Sequence, residues 1–297
     1  MRRQRTLART VEFSGVGIHT GEMATVRVRP APTGHGRVFL REGAALPALA
    51  GEVVRVERST TLGRGPVTVQ TVEHLLSAAA GLALDNLCIQ VEGPEVPILD
   101  GSAKPFVEAF LDAGIQEQEA DAAELAVTAP RWVLEEDALV VALPCPHLEL
   151  EYSIHYDHPL VPHQEFRWRA SPASYPVEVA PARTYGFHEE VQQLLDRGLA
   201  RGGDLSNALV IGREGYSTEP RFPEEPARHK LLDLVGDLAL LGCRLRARVL
   251  AVKAGHRLHV NLVRKILKEE DYAGRERDPS KAAAPLSVPV VGPGFGT

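Results

Sequence analysis

The stretch Arg228-His-Lys-Leu-Leu-Asp-Leu-Val-Gly-Asp-Leu-Ala-Leu-Leu241 carries the most informative pattern in the chain. Its leucines and Val235 recur at helical spacing, so the stretch predicts a helix with one apolar face for packing. His229, Asp233 and Asp237 follow one another at intervals of four and therefore lie along one helical face. A His-x-x-x-Asp pair can present an imidazole nitrogen and a carboxylate oxygen to one metal ion. By itself the pair is also typical of a solvated polar stripe, because short motifs match often by chance.

A second polar pair lies in an apolar stretch of the N-terminal half. Glu73 and His74 follow each other in a predicted helix from Thr71 to Leu82 that otherwise holds leucines, Val72 and alanines. Burying them is costly unless they have partners. His74 as a third metal ligand and Glu73 as a neighbouring base would supply those partners. Two histidines and one aspartate leave zinc an open position for water, as in catalytic sites. The alternative is a core histidine beside a surface glutamate.

The third motif is Lys253-Ala-Gly-His256, at a predicted transition from strand to helix. The glycine lets the histidine project beside a pocket, where His256 could act as a general acid or as an oxyanion partner. Asp237 could orient it, as carboxylates orient catalytic histidines elsewhere. Alone, His256 is also compatible with a polar residue at a helix start.

Composition narrows the class of protein. The chain has 297 residues, 44% of them hydrophobic and 24% charged, which is ordinary for a globular protein of one large or two medium domains. A net charge of −6 argues against nucleic-acid binding. Cys88, Cys145 and Cys243 form no Cys-x-x-Cys pair, which excludes a zinc ribbon and favours a reducing compartment. No signal peptide and no apolar run of about 18 residues is present, so we expect a cytoplasmic protein, and a monomer.

Strands and helices mix without strict βαβ alternation, which predicts the α+β class. We expect an N-terminal α+β domain over residues 1–117, an acidic linker over 115–124, and a C-terminal α+β domain over 125–275. Residues 187–211 look like an insert with the order strand, helix, strand. The segment 278–297 is rich in Pro, Gly and Ala, and we expect a loose tail there.

Taken together, these motifs resemble the zinc-dependent UDP-3-O-acyl-N-acetylglucosamine deacetylases of bacterial lipid A synthesis. The resemblance extends from Gln4 to about Leu267, and it rests on many landmarks in order rather than on any one motif. These landmarks are Gly15-Val-Gly-Ile-His-Thr-Gly21, Thr71-Val-Glu-His-Leu75, Asp85-Asn86, Pro94-Glu-Val-Pro-Ile-Leu-Asp-Gly-Ser102, Pro105-Phe106, Ala182-Arg-Thr-Tyr-Gly-Phe187, Arg197-Gly-Leu, Arg228-His-Lys-Leu-Leu-Asp233, Gly236-Asp237 and Lys253 to His256.

The resemblance implies a fold, a metal and a reaction. The fold would be two similar two-layer α/β sandwiches with the active site between them. One Zn²⁺ per chain, or Fe²⁺ in the cell, would activate water to hydrolyse the acetamide of the UDP-linked acyl sugar to acetate and a free amine, the committed step of lipid A synthesis. The implied residues are His74, His229 and Asp233 as metal ligands, Glu73 as general base, His256 as protonated partner, Asp237 holding His256, and Thr184 donating to the oxyanion.

The resemblance also implies how the substrate is held. Lys230 and Lys253 would face the phosphates, and Tyr156 would stack on uracil. The insert would form a hydrophobic passage for the 3-O-acyl chain, with Val191, Leu195 and Ala200 in its wall, although the residues alone favour an ordinary packed βα unit. His19 would lie in a loop near this pocket.

Four positions depart from the family pattern without touching a proposed ligand or base. Gly63 stands where many members have a cysteine near the metal, and Tyr185 replaces a phenylalanine and adds a hydroxyl to the pocket wall. Asp157 and His259 each stand where asparagine is common. Two other functions remain open on the sequence: a zinc amidase for a different N-acyl sugar, and a sugar-nucleotide binding protein without catalysis. The second has no need of a base beside a metal.

Overall fold

The computed structural model describes residues 2–270. The predicted tail at 278–297 and the end of the predicted domain 125–275 lie outside these residues. The N-terminal half contains β1 (Arg3–Leu7), β2 (Val11–Val16), β3 (Met23–Pro30), β4 (Arg37–Arg41), β5 (Ala44–Pro47), β6 (Val53–Arg55), β7 (Thr61–Arg64), β8 (Val67–Val69), α1 (Glu73–Gly81), β9 (Leu87–Glu92), α2 (Lys104–Ala113) and β10 (Ile115–Asp121).

The C-terminal half repeats this mixture of strands and helices. It contains β11 (Glu124–Ala126), β12 (Arg131–Glu135), β13 (Ala138–Leu143), β14 (Glu149–His155), β15 (His163–Arg169), α3 (Tyr175–Glu178), β16 (Tyr185–Phe187), α4 (His188–Asp196), β17 (Leu209–Ile211), α5 (Glu225–Leu238), β18 (Arg244–Arg246), β19 (Arg248–Val252) and α6 (His256–Glu269). Within residues 2–270, no helix is both long enough and apolar enough to cross a membrane.

Each half has a five-stranded sheet, and the two sheets share one topology. Their strand orders are β2-β3-β9-β4-β5 and β12-β13-β19-β14-β15. In the first sheet β4 and β9 are parallel, in the second β14 and β19 are parallel, and the other neighbours pair antiparallel. The predicted α+β class with two similar sheet-and-helix sandwiches is therefore confirmed, although no repeat is visible in the sequence.

Helices α1 and α5 cross where the two halves meet, and small residues let them approach. A Cβ placed on Gly236 of α5 would lie 2.2 Å from the carbonyl oxygen of Glu73, so only glycine fits at this crossing. The hydroxyl of Ser77 donates to the carbonyl of Leu232 at 2.8 Å. Because α1 carries Glu73 and His74 and α5 carries His229, this crossing assembles the predicted site from distant segments.

The predicted linker over 115–124 is wrong for most of its length. Residues Ile115–Asp121 form β10, which pairs antiparallel with β1, and the pairing places Ile115 opposite Leu7. The acidic residues that suggested a linker lie on the exposed side of the strand, where Glu117 binds Arg5 at 2.9 Å. An edge strand can be this acidic because only one of its faces is covered. The domain limits at 117 and 125 stay a proposal.

Candidate metal centre and active site

The helix crossing brings together His74 of α1 with His229 and Asp233 of α5. The imidazole Nε2 atoms of His74 and His229 lie 3.6 Å and 3.4 Å from the same oxygen, Asp233 Oδ1. All three side chains are buried, with exposed fractions of 2–4%. One donor atom from each lies within 4.8 Å of the other two.

This donor set fits a metal ion. Ligand atoms about 2.0–2.1 Å from a tetrahedral zinc ion are roughly 3.3 Å apart, close to the separations seen here. They are longer than ordinary hydrogen bonds, so the three side chains do not satisfy one another. Buried polar donors that do not satisfy one another are expected to be completed by a ligand. The other ring nitrogen of His74, Nδ1, is also buried and has no hydrogen-bond partner among residues 2–270.

The second ring nitrogen of His229 fixes how that residue can bind. His229 Nδ1 donates to the carbonyl of Ala182 at 3.1 Å, which leaves Nε2 unprotonated and directed at Asp233. The segment carrying Ala182 is itself held, because both the backbone and the guanidinium of Arg183 donate to the buried carboxylate of Glu225 at 2.9 Å. Burial lowers the pKa of His229 to about 4, so the imidazole is neutral and available as a ligand near neutral pH.

The third donor, Asp233, is ionised. Burial alone would raise the pKa of its carboxyl group, but the charges of Lys230 and His229 hold that pKa well below its usual range. Lys230 Nζ donates to Asp233 Oδ2 at 2.8 Å, while Oδ1 faces the two histidines. The predicted phosphate-binding lysine thus lies beside the candidate metal donors, with its ammonium group on the carboxylate of one of them.

Glu73 is the chain neighbour of His74 but contacts other residues. With Asp237 and His256 it forms a second group, the acid–base cluster. Its Oε2 accepts a hydrogen bond from the backbone N–H of Thr60 at 3.0 Å, and its Oε1 lies 3.7 Å from His256 Nε2. Burial raises the pKa of the Glu73 carboxyl to about 7. A carboxylate with a pKa near the working pH is well suited to take and return a proton.

His256 is held at the end of α6 by Asp237. Its Nδ1 donates to Asp237 Oδ2 at 2.7 Å, and its Nε2 lies 4.0 Å from the proposed metal ligand Asp233. Burial would lower the pKa of His256, but the charges of Asp237 and Glu73 outweigh it and raise the pKa to about 9. Burial likewise opposes ionisation of Asp237, yet His256 brings the pKa of Asp237 down to about 2. His256 is therefore a buried cation near neutral pH, with Nε2 directed towards Glu73 and Asp233.

Two other groups of metal-binding residue types are explained without an ion. Asp237, His256 and His259 are close because both histidines donate to one carboxylate oxygen at 2.7 Å and 2.9 Å. In the half-buried group Cys145, His147 and Glu149, both ring nitrogens of His147 already face a partner. A guanidinium nitrogen of Arg169 lies 3.5 Å from Nδ1, and the Glu149 carboxylate lies 3.2 Å from Nε2. Because arginine only donates, Nδ1 must accept and Nε2 carries the proton, so no ring nitrogen is free for a metal.

Aromatic side chains form a wall beside the metal ligands. The hydroxyl groups of Tyr156 and Tyr185 lie 2.7 Å apart, and the Tyr185 ring stands edge-on to His229 with 6.1 Å between the ring centroids. Phe187 packs against Tyr156 at 4.8 Å. The predicted residues Tyr156 and Tyr185 are thus brought together next to the site, and Tyr185 links this wall to His229.

The predicted insert has the expected order of elements. Strands β16 and β17 pair in parallel and flank α4, so the prediction of strand, helix, strand is confirmed. No residue of α4 is buried, although the helix carries Val191, Leu194 and Leu195. Leu195 is 41% exposed. Val191 and Leu194 are half-buried, so the apolar face of this helix is covered only in part, less than in an ordinary packed βα unit.

The loop that carries His19 is fixed by a carboxylate that the sequence analysis gave no role. Glu95 is fully buried and accepts hydrogen bonds from the backbone N–H groups of His19 and Thr20 and from the hydroxyl of Thr71. Burial lowers the pKa of His19 against the opposing charge of Glu95. The predicted role of His19 near the pocket stays a prediction.

Thr184 and Lys253 are placed less directly. The backbone N–H of Thr184 donates to Gly101 at 2.7 Å, and its carbonyl accepts from Leu209, which fixes it two residues after the carbonyl that holds His229. Lys253 precedes His256 on the loop before α6, and its ammonium group donates to the exposed Asp137 at 2.6 Å. Their predicted contacts with the oxyanion and the phosphates stay predictions.

Sequence reasoning missed two residues that contact the acid–base cluster. Thr60 is fully buried, and while its backbone binds Glu73, its hydroxyl donates to Asp237 Oδ1 at 2.6 Å. His259 is fully buried and donates to the other oxygen of Asp237. His259 was noticed only as a departure from a family pattern; its position three residues after His256 on one helix was the available signal. Thr60 carries no such signal, because its role depends on long-range contacts.

Three buried metal donors beside a glutamate of pKa about 7 and a protonated histidine define a metal-dependent hydrolase. Comparison with known proteins narrows the class. The family model of UDP-3-O-acyl N-acetylglycosamine deacetylase matches residues 4–268, so the chain belongs to that family.

Relatives named UDP-3-O-acyl-N-acetylglucosamine deacetylase match along most of their length. The protein of Nostoc sp. is 42% identical over 275 residues, which cover 89% of this chain and 98% of the relative. That of Myxococcus xanthus is 42% identical over 272 residues, covering 90% and 87%. That of Citrifermentans bemidjiense is 40% identical over 294 residues, covering 97% and 96%.

Proposed function

We propose that the chain binds one zinc ion at His74, His229 and Asp233 and hydrolyses the acetamide of UDP-3-O-acyl-N-acetylglucosamine. As a member of the deacetylase family it is a hydrolase of lipid A synthesis. The products are acetate and the free amine. The observation that carries the proposal is that three buried candidate metal donors meet an ionisable Glu–His pair at one helix crossing: His256 Nε2 lies 3.7 Å from Glu73 and 4.0 Å from Asp233.

The residues of the chain divide the proton chemistry between them. When bound, zinc lowers the pKa of a coordinated water to roughly 7 and polarises a carbonyl. Glu73 takes a proton as water attacks the acetamide carbon, since its pKa lies near the working pH. His256, cationic and held by Asp237, directs Nε2 to where negative charge develops on the carbonyl oxygen. Thr184 would add a hydroxyl donor to the same oxygen.

Collapse of the tetrahedral intermediate breaks the C–N bond, and the departing nitrogen needs a proton. Glu73 holds one after the first step, and His256 carries another on Nε2. The two groups lie 3.7 Å apart, so either is placed to give the nitrogen its proton, and a proton transfer between them restores ionised Glu73 and protonated His256. The second proton of the attacking water stays on the carboxyl product and passes to solvent as acetate forms.

The substrate is held by groups around the metal ligands. We assign Tyr156 to uracil stacking and Lys230 and Lys253 to the phosphates, with Tyr185 and His19 lining the pocket. The apolar positions of α4, half-buried Val191 and exposed Leu195, support a passage for the 3-O-acyl chain. Each methylene of a bound acyl chain that is buried against α4 would contribute about 0.8 kcal/mol to binding. An apolar helix face partly open to solvent is suited to that contact.

Zinc is favoured over other ions by the ligand set. Two imidazole nitrogens and one carboxylate oxygen with an open position are typical of catalytic zinc, whereas Mg²⁺ prefers oxygen ligands. Fe²⁺ also accepts two histidines and a carboxylate, so we keep it as the alternative ion in the cell. Metal analysis of protein purified without added metal, followed by reconstitution with each ion, separates the two.

We further propose a cytoplasmic monomer. The three cysteines are free, in keeping with a reducing compartment. Light scattering during size-exclusion chromatography tests the monomer, and fractionation of cells tests the location.

The deciding experiment follows acetate release from the UDP-linked acyl substrate by zinc-loaded protein. The expected result is stoichiometric acetate and free amine, with release nearly abolished in Glu73→Gln protein of equal metal content. A matched reaction with substrate lacking the 3-O-acyl chain tests the substrate. Equal turnover of the two would favour an amidase for another N-acyl sugar, and binding without acetate release would favour a non-catalytic binding protein.

A further inference from the structure

Asp237 has more hydrogen-bond donors than its role as partner of His256 requires. Its Oδ2 accepts from His256 Nδ1 at 2.7 Å and from His259 Nδ1 at 2.9 Å, and its Oδ1 accepts from the hydroxyl of Thr60 at 2.6 Å. The carboxylate is fully buried. Three of the roughly four acceptor positions of the Asp237 carboxylate are occupied, so the carboxylate can adopt only one orientation.

His259 reaches Asp237 from the same helix as His256. The two histidines are three residues apart on α6, so both rings lie on one helical face. His259 is fully buried, and burial lowers the pKa of its imidazole against the opposing effect of Asp237. It is therefore a neutral ring that donates through Nδ1 and has Nε2 available as an acceptor.

Nε2 of His259 meets a second buried group. It lies 3.1 Å from the hydroxyl oxygen of Tyr152, whose single proton is shared between His259 Nε2 and the carbonyl of Ala254, 2.7 Å away. Ala254 lies between Lys253 and Gly255 in the turn that presents His256. Lys253 adopts a φ of 51°, in the left-handed region that is strained for a residue with a side chain. The Tyr152 hydroxyl thus contacts both the strained turn and His259.

We infer that His259 and Tyr152 are a pair of positioning residues for the acid–base cluster. His259 sets the rotation of Asp237, and Tyr152 holds the turn before His256, so that Nε2 of His256 stays directed at the reacting oxygen. Neither residue contacts the reacting atoms. The inference rests on the proposed function for its catalytic readout, but the hydrogen bonds themselves can be observed without turnover.

The test compares variants that keep or remove one donor. His259→Leu removes both ring contacts. In His259→Asn the amide nitrogen occupies nearly the place of Nδ1, so it keeps the donor to Asp237 and loses the contact with Tyr152. Tyr152→Phe removes one oxygen only. Leu262→Ala is the matched control, because Leu262 is fully buried on the same helix and its side chain forms no hydrogen bond.

We expect His259→Leu to lower kcat by about 10- to 100-fold, the usual cost of losing an outer-shell partner, with KM and metal content unchanged. His259→Asn should recover most of that loss, and Tyr152→Phe should lower kcat less than His259→Leu does. Leu262→Ala should lose thermal stability and keep its kcat. Wild-type kcat in His259→Leu, no rescue by asparagine, or a kcat loss in Leu262→Ala that scales with its lost stability would each overturn the inference.

A second readout separates this inference from the proposed function. The proton between His256 Nδ1 and Asp237 should give a downfield imidazole N–H resonance in the zinc-loaded protein. The resonance should persist in His259→Asn and shift or broaden in His259→Leu, whatever substrate the enzyme uses. An unchanged resonance in His259→Leu contradicts the inference even if the protein is an active deacetylase. An inactive wild-type protein with the expected shifts overturns the proposed function alone.

Discussion

The metal-ligand cluster (His74, His229 and Asp233) and the acid–base cluster (Glu73, Asp237 and His256) take neighbouring positions on helices α1 and α5, and α6 adds His256 to the second. Helix α1 gives His74 to the first and Glu73 to the second, and α5 gives Asp233 to the first and Asp237 to the second. All four side chains are nearly fully buried. Burial alone therefore cannot decide what each carboxylate does.

The partners decide it, and they give the clusters opposite protonation states. In the metal-ligand cluster burial lowers the pKa of His229 to about 4, so a neutral ring and an ionised Asp233 are left for a cation. In the acid–base cluster Asp237 and Glu73 overcome burial and raise the pKa of His256 to about 9. One turn of α5 thus separates a site that accepts an external cation from one that carries its own.

The largest effect is expected from removing a metal ligand. Asp233→Ala leaves two histidines without their shared carboxylate, so zinc should be lost and turnover should fall by roughly 10⁴-fold or more, because a bound metal contributes several kcal/mol to the transition state. His74→Ala should behave alike. Metal content by mass spectrometry together with acetate release measures both. His74→Ala protein that keeps a full equivalent of zinc would end the ligand assignment.

The adjacent residue should give the opposite pattern. Glu73→Gln keeps the shape of the side chain and removes its basicity, so it should retain zinc while kcat falls by ~10² to 10⁴. The two variants differ by one position on α1, which makes each the control of the other. Normal turnover in Glu73→Gln would show that this carboxylate is structural, and the distinction between the two clusters by function would then be wrong.

The sequence predicted members of both clusters but not how they meet. The i, i+4 series His229, Asp233, Asp237 predicted that these three side chains share one helical face, and Glu73–His74 was evident as a polar pair in an apolar helix. The crossing of α1 and α5 was the missing step. The close approach of the helices depends on Gly236 and Ser77. Neither residue shows in the sequence which part of the other helix it contacts. Thr60 and Glu95 were missed for the same reason, since their partners are far along the chain.

A third region, α4, should affect neither cluster. If its apolar positions hold the 3-O-acyl chain, substrate without that chain should lose about two orders of magnitude or more in kcat/KM. Burying ten methylenes could contribute about 8 kcal/mol, and the entropy cost of ordering the acyl chain would leave a few kcal/mol of this. Each 1.4 kcal/mol corresponds to about a tenfold change in kcat/KM.

The matching variant is Leu195→Glu, which places a charge on the exposed face of α4. It should lower kcat/KM for the long substrate to the value of the truncated one while zinc content stays unchanged. Val177→Glu serves as the control, because Val177 is also exposed, at 65%, and lies outside the insert. Equal turnover of truncated and full-length substrates by the wild-type enzyme would rule out the passage and weaken the lipid A assignment.

The smallest effect is on the pH dependence of the rate, which should change about tenfold per pH unit on each side of its maximum. It reports the protonation states of Glu73 and His256. Glu73 must be ionised to accept a proton, and its pKa is raised to about 7, so the rate should rise with pH up to about 7; a bound cation moves this limb lower. His256 must be protonated, and its pKa is raised to about 9, so the rate should fall above about 9.

The variant that sharpens this profile is His256→Gln. It should have a lower plateau and keep the acidic limb, but it should lose the fall above pH 9, because glutamine does not titrate. Zinc content measured at each pH excludes metal loss as the cause, and it should stay constant because the His229 ring is neutral above about pH 4. If the basic limb is unchanged in His256→Gln, another group carries that proton, and the cation of the acid–base cluster has to be reassigned.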